Sequence, residues 1–215
     1  AACAEAFRAD LASLGFEASL RATPGHPVLV AHRRKPGAKH VLFYGHYDVQ
    51  PVDPVSLWET SPFDAALKEV APGRKIITGR GSADDKGQVM TFVEACRAFI
   101  RQNGDLPCGV TILLEGEEEN GSINLPAFVE ANKGELSADI GLVCDTGMWD
   151  EKTPAITASL RGMVYQELVV RAANRDLHSG LYGGAARNPI HVLSRLIGEI
   201  HGPDGRIQVP GFYDG

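Results

Sequence analysis

The chain has 215 residues, 44% hydrophobic and 22% charged, a composition ordinary for a soluble globular protein and long enough for one large or two smaller domains. A net charge of −6 and a pI near 5.6, with no basic stripe, exclude the electrostatic footprint of a nucleic-acid binder. The apolar runs are too short for a membrane-spanning helix, and the opening residues do not read as a secretory signal.

In chain order, residues 2–14 place Phe7, Leu11 and Leu14 at helical spacing. The chain opens inside that helix and stops on the loop-like "VPGFYDG", so a piece of a longer protein is expected. "HPVLVAHR" (26–33) and "KHVLFYG" (39–45) predict strands, the second buried. Residues 46–86, rich in Pro, Asp and Gly, read as one long irregular loop. "KGQVMTFVEACRAFIRQNG" (86–104) predicts a helix closed by Asn103-Gly104. "CGVTILLEG" (108–116) predicts a central strand, "SINLPAFVEANKG" (122–134) a helix and "ADIGLVCD" (138–145) another buried strand. Alternating strand and helix over 39–145 predicts an α/β domain with a mostly parallel sheet. From 154 to 173 one long strand or a strand pair is expected, then a Gly-rich turn and a helix at 188–200, the start of a second domain. Cys3, Cys96, Cys108 and Cys144 form no C-x-x-C pair and lie among apolar neighbours. They read as buried thiols of a reducing, cytoplasmic compartment, with two bridges as the alternative.

Chemistry-bearing residues gather where the predicted strands end, the place where open α/β sheets hold their functional groups. "YGHYDVQP" (44–51) offers His46 and Asp48, which point the same way if extended geometry persists. That spacing supplies two ligands, or one ligand and the carboxylate that orients it; the plain alternative is a polar loop start. "GRGSADDKG" (79–87) fails the phosphate-loop patterns, because paired acids stand where glycine or lysine belongs. Asp84 and Asp85 read as cation ligands or as a helix cap and first-turn acid, and capping is the stronger reading for Asp85. "LLEGEEENGS" (113–122) sets Glu115, Glu117, Glu118 and Glu119 directly after a buried strand. Such carboxylates repel one another and resist leaving water. "NGS" also matches a glycosylation sequon, discounted for want of a secretory signal. Asp145 follows "IGLVC". One histidine and several carboxylates at neighbouring strand ends make a hard, mixed N/O donor set, and a pair of divalent cations would offset their repulsion.

These motifs, in this order and spacing from "VLFYGHYDVQP" through "EGEEENGS" and "LRG" to "DLHSGLYGG", resemble the aminoacylase/carnosinase family of di-zinc metallopeptidases. That family includes acetylornithine deacetylase, succinyl-diaminopimelate desuccinylase and the cytosolic non-specific dipeptidases, and "DVQP" with "DLHSGLYGG" tilts the resemblance toward dipeptidases. It implies a catalytic domain over residues 1–158 and part of an inserted α+β, ferredoxin-like dimerisation or lid domain over 159–215. It implies two zinc ions, with manganese or cobalt as alternatives. His46 and Asp145 would hold one, Glu119 the other, and Asp84, followed by a cis peptide bond, would bridge both. Asp48 would orient His46 and Glu118 would act as general base. His178 would reach the neighbouring subunit's site in a homodimer and stabilise the oxyanion. Glu115 and Glu117 match no catalytic position and read as structural or solvated. The family's last ligand is a histidine near the C-terminus of the full protein. His191 and His201 do not fit it by order, so the second metal would be weakly held here and the chain inactive alone. The implied reaction is hydrolysis of an amide in a small peptide, with no nucleic-acid or membrane partner. The rivals are a deacylase acting on N-acyl amino acids and a non-catalytic binding or dimerisation protein.

Overall fold

The computed structural model describes residues 2–214. Contacts divide the chain into two compact units, Ala1–Thr157 and Ala158–Gly215.

The first unit carries helices α1 (Ala2–Ser13), α2 (Lys86–Asn103) and α3 (Leu125–Ala131). Its strands are β1 (Glu17–Arg21), β2 (Val28–Arg33), β3 (His40–His46), β4 (Ala66–Ala71), β5 (Arg74–Thr78), β6 (Gly109–Glu115) and β7 (Ile140–Val143). Five of them form one sheet in the order β1-β2-β6-β3-β7. β3 is parallel to both β6 and β7, and only β2 runs against its neighbours. The core is therefore the mostly parallel α/β sheet the sequence predicts.

β6 is buried along its whole length, which is why its sequence is continuously apolar. Its side chains alternate between faces. Val110, Ile112 and Leu114 join Leu29, Ala31 and Phe43 under Phe7 and Leu11 of α1 and Val89, Val93 and Cys96 of α2. Leu113 joins Val30 on the opposite face, under Leu125, Phe128 and Val129 of α3. Phe92 of α2 stacks on Phe43 with ring centroids 4.1 Å apart. Truncating a fully buried side chain such as Leu11 or Ile112 in this two-faced packing costs about 2–5 kcal/mol. α2 ends where Gly104 takes a left-handed conformation (φ 79°) and its N–H closes on the Ile100 carbonyl.

Several expectations are corrected. β1 pairs with β2 and was not foreseen. The segment 46–86 is not wholly irregular, since β4 and β5 form an antiparallel hairpin turning at Pro72-Gly73. The helix expected over 122–134 is confined to α3, because residues 118–120 form a separate 3₁₀ turn and Gly121 and Ser122 both take positive φ. β7 is an exposed edge strand, not a buried one: it pairs only with β3, and Ile140 and Val143 are 54% and 60% exposed. All four cysteines are free thiols, and of these Cys96 alone is buried while Cys3, Cys108 and Cys144 are half-buried.

In the second unit, residues 158–173, like residues 154–157 before them, carry no strand despite their Val, Leu and Tyr content. A strand needs a partner for its peptide groups, and no backbone hydrogen bond involves residues 154–173 among the described residues. The unit's regular elements are the short helix α4 (Ser179–Tyr182) and α5 (Pro189–Ile200). α5 starts with proline at its first turn and with Asn188 Oδ1 accepting from the Ile190 N–H at 2.9 Å. No described helix is long and apolar enough to cross a membrane.

Candidate metal centre

The parallel strands deliver the site. β3 and β6 pair in register up to His46 opposite Glu115, and β7 pairs with β3 up to Tyr44 opposite Val143. Their carboxyl ends thus lie side by side, and the chain leaving each one carries His46 and Asp48, Glu118 and Glu119, and Asp145. α2 brings the fourth segment. A Cβ on Gly45 would sit 2.7 Å from Asp85 Oδ2 and 2.6 Å from Val89 Cγ2, so the bare glycine lets the start of α2 close onto the end of β3. Asp85 is fully buried there and accepts from the His46 N–H at 2.9 Å. It occupies the N-cap position of α2 but makes no side-chain capping bond, so its predicted capping role is replaced by a tie to the strand. Burial, despite that N–H, pushes its carboxyl up to about 6, with the charges of Asp145 and Asp84 adding to the rise. The Asp84–Asp85 peptide bond is cis, as the resemblance implies.

His46 is the centre of the cluster and has no exposed surface. Its Nδ1 faces Asp48 Oδ1 at 3.2 Å. With Nδ1–H donating to Asp48, Nε2 is left free to accept a cation. Around Nε2 stand Asp84 Oδ1 at 3.1 Å, Asp145 Oδ2 at 3.6 Å and Glu118 Oε2 at 3.9 Å. Asp48 also accepts from the peptide N–H groups of Glu118 (3.3 Å) and Glu119 (3.0 Å), so one carboxylate holds both the imidazole and the glutamate turn. Burial lowers the His46 pKa, but the carboxylates of Asp48, Asp85, Glu118 and Asp145 outweigh it and the net shift is upward. Glu118 is raised by burial and by the charges of Asp145, Glu119 and Asp48, against the pull of His46. Asp145 is raised by burial and then by Asp84.

The other two glutamates of the run are structural. Glu115 is buried and accepts from Tyr44 Oη at 2.5 Å and Ser122 Oγ at 2.8 Å. That bond occupies the Ser122 hydroxyl of the discounted sequon and holds Ser122 at its left-handed φ of 53°. Glu117 accepts from Asn124 Nδ2 and the His26 N–H, which hold its carboxyl below its usual range. Sequence reasoning gave no role to Gln50, whose Nε2 donates to Glu119 Oε2 at 2.6 Å. The available signal was its period-two spacing from His46 and Asp48.

Two groups of donor atoms lie within 4.8 Å of one another: His46, Asp84 and Glu119, and His46, Glu118 and Asp145. Every candidate ligand from the sequence is in one of them, and Glu118, expected as a base, is in the second. No lysine or arginine is ion-paired with any of these carboxylates among the described residues. One imidazole and four acids without a fixed cation fit a divalent metal centre.

In the second unit, His178 is exposed and caps α4, its Nδ1 accepting from the Gly180 N–H at 3.0 Å. His191 and His201 are exposed at the start and end of α5.

Comparison with known proteins gives this geometry a context. The chain is 36% identical over 194 residues to the Beta-Ala-His dipeptidase of Rattus norvegicus, covering 89% of this chain and 38% of the relative. It is 34% identical over 181 residues to the Cys-Gly metallodipeptidase of Candida albicans, covering 83% of this chain and 37% of that one. The crystal structure of the M20 family metallo-carboxypeptidase Sso-CP2 from Sulfolobus solfataricus superposes with a TM-score of 0.75 at 32% identity, over 98% of this chain and 47% of that one. The chain thus spans less than half the length of the relatives it matches. Residues 42–209 match the family described as peptidase family M20/M25/M40, and with the strand-end cluster inside that span the chain belongs to this family.

Proposed function

We propose that the protein is a metal-dependent dipeptidase working with two zinc ions. The observation that carries this reading is the cluster of Asp84, Glu118, Glu119 and Asp145 around His46, with no lysine or arginine ion-paired to it among the described residues. His46 and Asp145 would hold one ion and Glu119 the other, with Asp84 available to both. When bound, the ions acidify an attacking water and polarise the scissile carbonyl. Glu118 takes the proton from that water and returns it to the departing amine. Asp48 keeps the His46 ring and the Glu118–Glu119 turn in place throughout.

His178 serves the site of a second copy of the chain in a homodimer. Its Nδ1 accepts a backbone N–H, so the neutral ring carries its proton on Nε2, ready to donate to an oxyanion. Residues 159–215, within the second unit, are part of the dimerisation or lid domain. The names of two relatives, a Beta-Ala-His and a Cys-Gly dipeptidase, favour an unblocked dipeptide as substrate. Four free thiols fit a reducing, cytoplasmic setting.

The test is hydrolysis by the zinc-loaded full-length protein of a panel containing free dipeptides and N-acyl amino acids. Release of amino acids from the dipeptides, stopped by a chelator, is the expected result. Turnover confined to the N-acyl compounds would make the protein a deacylase, and no metal-dependent turnover of either would remove the catalytic reading.

A further inference from the structure

The chain leaving β3 sends every second side chain toward the glutamate turn. His46 Nε2 lies 3.9 Å from Glu118 Oε2, Asp48 accepts the peptide N–H groups of Glu118 and Glu119, and Gln50 Nε2 donates to Glu119 Oε2 at 2.6 Å. The last two contacts divide one task. Asp48 fixes where the backbone of Glu119 sits. Gln50 fixes how its carboxylate is rotated, occupying one oxygen and leaving the other for a cation.

The chemistry of the donor matters. A lysine in this place would hold the carboxylate equally well but would neutralise it and repel a metal ion. A primary amide supplies a directed N–H with no net charge, so the negative charge of Glu119 stays available. No lysine, arginine or histidine nitrogen lies within 4 Å of the Glu119 carboxylate among the described residues, so the Gln50 amide is the one side-chain donor shown there.

We propose that Gln50 is a positioning residue that sets the affinity of the metal position held by Glu119. The inference rests on the reading of Glu119 as a ligand, and the test separates the two. The apo full-length protein is titrated with cobalt(II), followed by calorimetry and by the visible spectrum, for the wild type, Gln50→Met and Glu119→Gln. Methionine matches glutamine in length and volume but has no N–H. Gln50 is exposed, so the variant keeps the fold, which the thermal midpoint of the apo protein verifies. The expected result is two cobalt ions in the wild type, loss of the second in Glu119→Gln, and in Gln50→Met a second site weakened by about 10–100-fold with an altered spectrum and an unchanged first site. If Gln50→Met binds both ions like the wild type, the side chain only fills space and the proposal is overturned while Glu119 remains a ligand. If Glu119→Gln also binds both, or the wild type takes up fewer than two, the ligand reading falls and the role of Gln50 falls with it.

Discussion

The two ends of the central sheet treat acidic residues in opposite ways. Toward the end where β3 and β6 begin, three acids are matched by cations: Asp105 meets Arg33 and Lys35, Asp139 meets Lys39, and Glu135 meets Arg21 and His32. These carboxyls are held low, Asp105 at about 2 through the Leu106 N–H and then Arg33 and Lys35, Glu135 through His32, and Asp139 through Lys39. At the end where the same strands finish, Asp84, Glu118, Glu119 and Asp145 surround a single imidazole, and Glu118, Asp145 and Asp85 are pushed up. Folding could have matched acids with cations at both ends. That it does so at only one marks the other as a place where the charge is kept for something that binds.

The sharpest way to break the comparison is to remove one charge at a time from the unmatched end. Glu118→Gln keeps the shape but cannot take a proton, so kcat should fall by about 10²–10⁴-fold or more with metal content unchanged. Glu119→Gln should lose metal instead, as measured by elemental analysis. Exchanged phenotypes would place the base one residue further along. A mixture of Glu118→Gln and His178→Ala subunits should then regain one working site per heterodimer, Glu118 from one chain meeting His178 from the other. Heterodimers as inactive as their parents would mean that His178 acts within its own chain or not at all.

Metal itself should act as the missing cation. At a hundredfold excess over its dissociation constant a ligand adds about 2.7 kcal/mol of stability, which for a chain of this size is roughly 5–10 °C in thermal midpoint. Zinc should raise the midpoint of the wild type by about that much and that of Asp84→Asn by far less, in scanning calorimetry. The matched end should show the smallest effect, and one of opposite pH character. Glu135 has a folded pKa below its unfolded value, so its contribution is present above about pH 4.3 and is lost as pH falls through the lower folded value. Glu135→Gln should therefore cost about 1 kcal/mol at neutral pH and flatten the acid limb of stability measured in urea.

Much of the site could be read from sequence because its residues sit at strand ends, where local patterns mark the position. The apolar run of β6 followed by four glutamates, and the apolar run of β3 followed by His46 and Asp48, place their side chains without knowledge of the rest. What sequence did not reveal depends on partners far along the chain. Asp85 looked like a cap because it starts α2, but its hydrogen bond goes to the backbone of His46, 39 residues away. Glu115 and Glu117 are set apart from their neighbours in sequence only by the family resemblance, and the partners that hold them, Tyr44, Ser122 and Asn124, come from the fold. The hairpin of β4 and β5 left a local signal in Pro72-Gly73, masked by its mostly exposed flanks. Residues 154–173 carry the composition of a strand, yet strand formation depends on a pairing segment and not on composition.

The most direct measurement of the central claim is anomalous scattering from crystals of the active full-length protein, recorded on either side of the zinc edge. Two peaks per chain are predicted, one beside His46 and Asp145, one beside Glu119, with Asp84 between them. An active enzyme with a single metal and an unligated Asp84, or with none, would contradict the account.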